Sequence, residues 1–301
     1  MPLGALPARF RRERVLIVGC GDVGLRAARL LGARTRVLAL ARDARQAPAL
    51  RAAGVVPLAG DLDQPATLGR LAGLAARVLH LAPPPGAGAG DPRSAALARA
   101  LARRQPPRAL VYGSTSGVYG DCRGARVPET RPPAPQTDRA RRRAAAERQW
   151  RALGRAAAVR VSILRIPGIY APDRPGGTVR ERLLRGTPVL RAGEDVYTSH
   201  IHADDLARAC VLALWRGRAQ RVVHASDDSQ LKMGDYMDLA ADLHGLPRPP
   251  RITLEQARAQ LPPVLLSFMG ESRRLDNRRL KTELRLRLRY PTVACGLLSE
   301  Q

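Results

Sequence analysis

The stretch VLIVGCGDVGLRAARLLG, residues 15–32, determines the expected fold. Four apolar residues precede Gly19, Gly21 and Gly24, which have the spacing G-x-G-x-x-G, and apolar residues three and four apart follow. This order predicts an apolar strand, a tight turn and an amphipathic helix. Glycines let the turn approach a diphosphate closely, and the helix N-terminus offers that group unpaired N–H donors. The stretch predicts dinucleotide binding; the alternative is a glycine-rich turn that binds nothing.

Five further apolar runs alternate with helical patterns rich in Ala, Leu and Arg. They are RVLAL (36–40), GVVPLAG (54–60), RVLHLA (77–82), RALVYGS (108–114) and VRVSILRI (159–166). Strands that alternate with helices indicate a parallel sheet covered on both faces. After Ile166 the sequence becomes rich in Pro and Gly. We therefore predict an α/β fold: a Rossmann doubly wound parallel sheet over 13–166, to which 200–225 returns, with a small C-terminal substrate-binding lobe over 167–301.

The chain of 301 residues is strongly basic, with 51 Lys and Arg against 26 Asp and Glu and a formal net charge of +25. Only Lys232 and Lys281 are lysines, and the arginines are scattered over every segment. A nucleic-acid-binding surface usually concentrates its charge on one element. We therefore expect no specific nucleic-acid binding, although polyanions at low salt should bind nonspecifically.

The remaining composition excludes several other classes. The four cysteines lie far apart and have no histidine partner at metal-ligand spacing, so we predict no metal site and a reduced, cytoplasmic protein. No apolar run reaches the roughly 18 residues that span a bilayer, so no membrane partner is expected. A homodimer is the expected assembly only because it is the commonest one.

The residue after the second strand bears on the choice of cofactor. NAD sites have an acidic residue there, whereas this chain has Arg42, which suits a 2′-phosphate. We expect NADP, with NAD as the alternative; a solvated surface arginine is the other interpretation. Asp61 follows the third strand and either accepts from an adenine amino group or caps a helix, as Asp63 also could. The residues assigned to cofactor binding are Gly19, Cys20, Gly21, Asp22, Val23, Gly24, Arg42, Asp61, Leu62, Leu81, Ala82 and Pro83.

Five segments carry a family resemblance. They are GSTSGVYGD (113–121), ET (129–130), AAAERQW (144–150), LRIPGIYAP (164–172) and HIHADDLARA (200–209). In this order, and over nearly the whole chain, they resemble the extended short-chain dehydrogenase/reductase family of the NAD-dependent epimerase/dehydratase type. The resemblance implies a Rossmann domain, a small substrate lobe and a nicotinamide cofactor. It adds Pro167 and Arg143 to the expected cofactor contacts.

The resemblance also assigns catalytic positions. Thr115 would orient the substrate oxygen; a hydroxyl that caps a strand end is the alternative. Counting back from Glu147, the family's Tyr-x-x-x-Lys pair falls on Arg139 and Arg143, which implies an atypical member. Arg143 can still provide a cation beside the nicotinamide ribose, whereas Arg139 cannot exchange a proton near neutral pH. We interpret the arginine-rich segment 135–150 as an altered catalytic helix.

Another proton carrier is then required. By sequence neighbourhood the candidates are Tyr119, Asp138 and Tyr170, although Tyr119 also fits a packing role. The expected catalytic residues are Thr115, Tyr119, Arg139 and Arg143. We predict an NAD(P)(H)-binding oxidoreductase, or an epimerase/dehydratase-like enzyme, acting on a small, sugar-like or anionic molecule. The alternative is a non-catalytic dinucleotide-binding sensor or scaffold.

Overall fold

A seven-stranded parallel sheet is the central feature of the computed structural model, which describes residues 12–32, 35–174 and 178–298. Its strands are β1 (Glu13–Val18), β2 (Thr35–Ala41), β3 (Val56–Ala59), β4 (Arg77–His80), β5 (Ala109–Thr115), β7 (Arg160–Ile166) and β12 (Arg221–His224). They lie in the order β3-β2-β1-β4-β5-β7-β12. The direction of strand addition reverses between β1 and β4, as in a doubly wound Rossmann sheet. The predicted fold class is confirmed.

Eight short strands form four two-stranded sheets within the described residues. These strands are β6 (Arg126–Val127), β8 (Gly168–Tyr170), β9 (Val189–Leu190), β10 (Tyr197–Thr198), β11 (His200–His202), β13 (Leu231–Lys232), β14 (Arg251–Ile252) and β15 (Arg274–Leu275). The pairs are β10 with β13, β11 with β8, β14 with β9 and β15 with β6.

Helices account for most of the remaining regular structure. The α-helices are α1 (Asp22–Leu31), α2 (Ala47–Ala52), α3 (Pro92–Ala102), α4 (Asp138–Ala156), α5 (Val179–Leu184), α6 (Ala203–Arg216), α7 (Met233–His244), α8 (Leu254–Gln260), α9 (Pro263–Met269), α10 (Arg278–Thr282) and α11 (Val293–Leu297). Short 3₁₀ helices cover Ala44–Gln46, Pro65–Leu71 and Ser116–Tyr119. None of the helices in the described part of the chain has the length and apolar character needed to cross a membrane.

The chain divides into two compact units. The first unit comprises 1–113, 145–163 and 210–221, and the second unit comprises 114–144, 164–209 and 222–301. The sequence-based boundary at 166 stays a prediction.

The first unit is built around β1 and the turn that follows it. Residues Val15 to Val18 are buried, and α1 buries the face formed by Gly24, Ala27, Ala28 and Leu31. The N–H groups of Leu81 and Ala82 both donate to the carbonyl of Val18, at 2.7 and 3.0 Å. The chain that leaves β4 therefore lies directly against the turn after β1.

Gly19 occupies the point of closest approach. Its φ is +87°, and a Cβ there would lie 2.3 Å from the backbone nitrogen of Ala82. An L-residue rarely adopts this φ, and the added carbon would overlap backbone atoms that cannot move aside independently. The first glycine of the motif is thus required by packing.

In the second unit, a buried carboxylate anchors the C-terminal segment to α6. Asp205 is fully buried and accepts from Arg208 Nη1 at 2.6 Å. It also accepts from the backbone N–H groups of Arg289 and Tyr290 at 2.9 Å each. A buried charge is tolerated when it is paired and hydrogen-bonded in this way.

We expect Gly19→Ala to lower the free energy of unfolding by about 2 kcal/mol or more, because it adds both strain and a backbone clash. Gly21→Ala is the control, since a Cβ at Gly21 meets nothing within 4 Å; its expected cost is below about 1 kcal/mol. Urea unfolding measures both values. Equal losses in the two variants would contradict the packing argument.

We expect Asp205→Ala to cost about 3–5 kcal/mol, because it leaves a guanidinium and two N–H groups without their acceptor. Asp242→Ala removes an exposed Asp–Arg pair, formed with Arg248 at 2.8 Å, and should lower the free energy of unfolding far less, because solvent screens such a pair. Urea unfolding of the two variants, side by side, checks the difference. A loss below 1 kcal/mol for Asp205→Ala would rule out the anchoring role.

Candidate functional site

The turn between β1 and α1 leaves room for a ligand. Gly21 is the N-cap residue of α1 and is exposed, with no side-chain cap on the helix. The first N–H groups of α1 therefore lack a side-chain acceptor, and the open space at Gly21 lets a group approach them. Unpaired N–H groups and the positive end of the helix dipole together favour an anion. This geometry fits the diphosphate of a dinucleotide.

The other predicted residues of this turn contribute little charge. Burial raises the pKa of Cys20 to about 11, so its side chain remains a neutral thiol. The carboxylate of Asp22 accepts from Arg26 Nε at 2.8 Å, which offsets its negative charge at the start of the helix. Val23 is half-buried and Gly24 is buried.

The loops after β2, β3 and β4 lie at the same edge of the sheet, because carboxyl ends of parallel strands share one edge. Arg42 is exposed after β2, whereas Asp61 and Leu62 are half-buried after β3. Leu81, Ala82 and Pro83 follow β4. The structure thus brings the predicted cofactor residues of the first unit to one edge.

The two acidic residues after β3 have structural partners. Asp61 Oδ1 accepts from the N–H of Asp63 at 3.0 Å and closes a turn. Asp63 forms a bidentate pair with Arg93, with distances of 2.7 and 2.5 Å. Arg93 Nη1 also donates to Pro83 O at 3.2 Å, so it connects the loops after β3 and β4. Neither aspartate is a helix N-cap, because Gln64 occupies that position before the 3₁₀ helix.

The second unit contains a cavity of about 380 Å³. Its wall includes the turn Thr115–Gly117, Arg139 on α4, and residues from β8, α5, β11 and α7. Pro167 and Tyr170 also line it. This volume lies at the small end of the range for ligand pockets, about 300–1,000 Å³.

Of the four predicted catalytic residues, Thr115 and Arg139 line this cavity. Thr115 Oγ1 accepts from the N–H of Gly117 at 3.2 Å, so it caps a short helix while facing the cavity. The guanidinium of Arg139 lies 5.4 Å from the centre of the Phe268 ring. Burial lowers the pKa of Arg139. The positive charge of Arg143, which is half-buried one turn further along α4, lowers it further.

Tyr119 lies in the core of the second unit. It is 1% exposed and packs with Val118, Cys122 and neighbouring apolar residues. Its hydroxyl is 2.6 Å from His224 Nε2, and His224 Nδ1 is 2.8 Å from the carbonyl of Asp276. That carbonyl can only accept, so Nδ1 carries the proton and the Tyr119 hydroxyl donates to Nε2.

The other two proposed proton carriers differ in location. Asp138 is exposed and pairs with Arg141 at 2.7 Å. Tyr170 lines the cavity, but its hydroxyl donates to Thr292 O at 3.2 Å, and burial raises its pKa well above the ordinary value. Proton exchange by Tyr170 near neutral pH is therefore unfavourable.

Sequence reasoning missed Glu271, a carboxylate in the cavity wall. It is 9% exposed, and its Oε2 accepts from Arg273 Nη1 at 2.7 Å. Oε2 also lies 3.8 Å from the position of a Cβ on Gly117, and its charge raises the pKa of Arg139. Oε1 has no hydrogen-bond partner among the described residues. Nothing in the local sequence links position 271 to position 117.

A second polar group in the cavity wall consists of Arg182, Thr198, His200 and Tyr236. His200 stacks on Tyr236 with ring centres 4.2 Å apart. Burial lowers the pKa of His200 to about 4, so its imidazole is neutral at pH 7. Arg182 Nη2, Thr198 Oγ1 and His200 Nδ1 are buried without a hydrogen-bond partner among the described residues. No cluster in the described part of the chain has the composition of a metal site.

Comparisons with known proteins agree with this architecture. An unassigned conserved protein from Silicibacter pomeroyi is 32% identical, with a TM-score of 0.80, over 95% of this chain and 97% of that one. A dTDP-glucose 4,6-dehydratase from Streptomyces venezuelae, solved with NAD, is 22% identical, with a TM-score of 0.77, over 95% of this chain and 94% of the dehydratase. UDP-glucose 4-epimerase from Thermotoga maritima is 18% identical, with a TM-score of 0.76, over 95% of this chain and 96% of the epimerase. No curated protein matches in sequence.

The match to a family covers most of the chain and includes the glycine turn, the strands of the sheet and α6. Residues 15–225 match the NAD dependent epimerase/dehydratase family. The Rossmann sheet is the one that the resemblance implied. The chain belongs to the NAD dependent epimerase/dehydratase family.

Proposed function

We propose that this chain binds a nicotinamide dinucleotide, with NADPH preferred, and is an oxidoreductase of the epimerase/dehydratase type. The observation that carries the proposal is the turn from Gly19 to Gly24. It combines a backbone approach that excludes a side chain at Gly19 with open space over the uncapped start of α1. A glycine turn without a ligand role would need the first property and not the second. Membership of an NAD-dependent family supports the same cofactor class.

The first unit supplies the groups for the dinucleotide. The N–H groups at the start of α1 would bind its diphosphate. Arg42, exposed after β2, would pair with a 2′-phosphate, and this charge is the basis for preferring NADPH. When bound, the nicotinamide ring would supply the hydride donor or acceptor.

We infer that Arg139 and Arg143 replace the family's tyrosine and lysine, and that Glu271 moves the proton. A guanidinium stays protonated and cannot accept a proton from a substrate hydroxyl. Glu271 Oε1 faces no acceptor or donor of the described chain, whereas Oε2 is fixed by Arg273. When the substrate is oxidised, the Glu271 carboxylate would accept the proton of the substrate hydroxyl. When the substrate is reduced, Glu271 would return that proton to the substrate oxygen. Thr115 would orient the substrate oxygen, and Arg139 would stabilise negative charge on it.

We expect nucleic-acid-free protein to bind NADPH more tightly than NADH in a calorimetric titration. Arg42→Ala should weaken NADPH binding about tenfold or more and leave NADH binding unchanged, because it removes one charge-assisted contact. Arg45→Ala is the control, since Arg45 is an exposed arginine three positions away. Failure of both dinucleotides to bind at millimolar concentration would refute the proposal, and an equal effect of Arg42→Ala on both would refute the 2′-phosphate contact.

We expect Glu271→Gln to lower kcat about 100-fold or more, because glutamine can still accept from Arg273 but cannot take up a proton. The assay follows NADP⁺ reduction with a panel of small hydroxy acids and sugars. The dinucleotide Kd should not change, and the exposed Glu255→Gln variant should retain full activity. A kcat within threefold of the unsubstituted protein would exclude Glu271 as the proton carrier. Dinucleotide binding without turnover of any compound would favour the sensor alternative.

A further inference from the structure

The guanidinium of Arg182 is a cation inside the cavity whose partner is missing from the described residues. It lies on α5, makes no ion pair with the described part of the chain, and its Nη2 is sealed from solvent without an acceptor. Burial lowers the pKa of Arg182, and the positive charge of Arg185 lowers it further. Leaving a charged donor buried and unsatisfied is costly, so such a group in a native cavity indicates an absent anion.

Two aromatic side chains, His200 and Tyr236, interact with Arg182, and Arg185, which is exposed, adds a second positive charge. His200 and Tyr236 are 7% and 5% exposed and stack on each other. Both interact electrostatically with Arg182, and this charge further lowers the pKa of His200. Behind them, the N–H of Asp227 donates to His200 O at 2.7 Å. Burial raises the pKa of Asp227 to about 8, so this carboxyl does not cancel the charge of Arg182 at pH 7.

The balance of charge and donors selects the ligand class. Among the described residues, the cavity wall contains four arginines, Arg139, Arg174, Arg182 and Arg273, against one carboxylate, Glu271, so its charge favours an anion. A planar guanidinium fork matches a planar carboxylate. Thr198 Oγ1 and His200 Nδ1, also without partners, add hydrogen-bonding atoms to the same wall.

We propose that Arg182, with His200, Tyr236 and Thr198, binds the carboxylate of a small hydroxy or oxo acid. The free oxygen of Glu271, in the wall of the same cavity, would accept a hydroxyl proton from the rest of that ligand. A compact acid also suits a volume of about 380 Å³. This inference deepens the proposed function, because it names the substrate class on which that function would act.

The test measures binding by calorimetry without dinucleotide, so it does not depend on cofactor binding. The probes are glycolate, lactate, tartrate, gluconate and glucuronate, with sorbitol and inorganic phosphate for comparison. At least one carboxylate should bind at least tenfold more tightly than sorbitol or phosphate. Arg182→Gln should weaken that binding about tenfold or more, whereas Arg185→Gln, an exposed arginine three positions along, should not change it.

Two further measurements separate a binding role from a structural one. Without ligand, Arg182→Gln should melt at the same temperature as the unsubstituted protein or higher, because it removes an unpaired charge. Its NADPH affinity should be unchanged. Failure of every carboxylate to bind, tighter binding of phosphate, or equal carboxylate affinity of Arg182→Gln would overturn the inference. Loss of NADPH binding with carboxylate binding intact would instead refute the proposed function alone.

Discussion

The close approach of two backbone segments, Gly19 after β1 and Ala82 after β4, is the constraint on which the first unit depends. The Val18 carbonyl accepts from two consecutive N–H groups of the crossing segment, which leaves no space for a Cβ at Gly19. The contact lies where the order of the parallel strands reverses, which is where sheets of this class bind ligands. On the other side of the turn, Gly21, the N-cap residue of α1, borders open space. Gly19 is thus required by backbone packing, whereas Gly21 leaves the space that a ligand would need.

The sequence was sufficient for features that depend on local pattern. Apolar runs predicted six strands of the sheet, and the glycine spacing predicted the turn, because hydrophobic periodicity and positive φ are local properties. Asp61 was expected to contact adenine or to cap a helix, and Asp63 was considered only as a cap. The carboxylate of Asp61 instead accepts from the N–H of Asp63, and that of Asp63 pairs with the guanidinium of Arg93. The partner of Asp63 is 30 positions away and could not be inferred from spacing.

The cavity of the second unit was beyond sequence reasoning, because its polar groups come from distant segments. Glu271 is more than 150 positions from Gly117, and Arg182 is 54 from Tyr236. The abundance of arginine also concealed Arg182, since composition offers no way to distinguish a buried guanidinium from a solvated one. In the structure, Arg42 and Arg45 are exposed, and Arg208 is paired with Asp205. Of these four arginines, Arg182 alone has a buried nitrogen without an acceptor among the described residues.

The proposed function requires that the uncapped start of α1 binds the diphosphate of a nicotinamide dinucleotide. Hydrogen exchange of the backbone amides from Gly21 to Gly24, followed by mass spectrometry with and without saturating NADPH, tests it most directly, because amides that bind a ligand exchange more slowly. We expect strong protection of the peptide that contains this turn, with a smaller effect in the loop after β2 that carries Arg42. Unchanged exchange across the turn, at concentrations where NADPH binding is saturated, would contradict it.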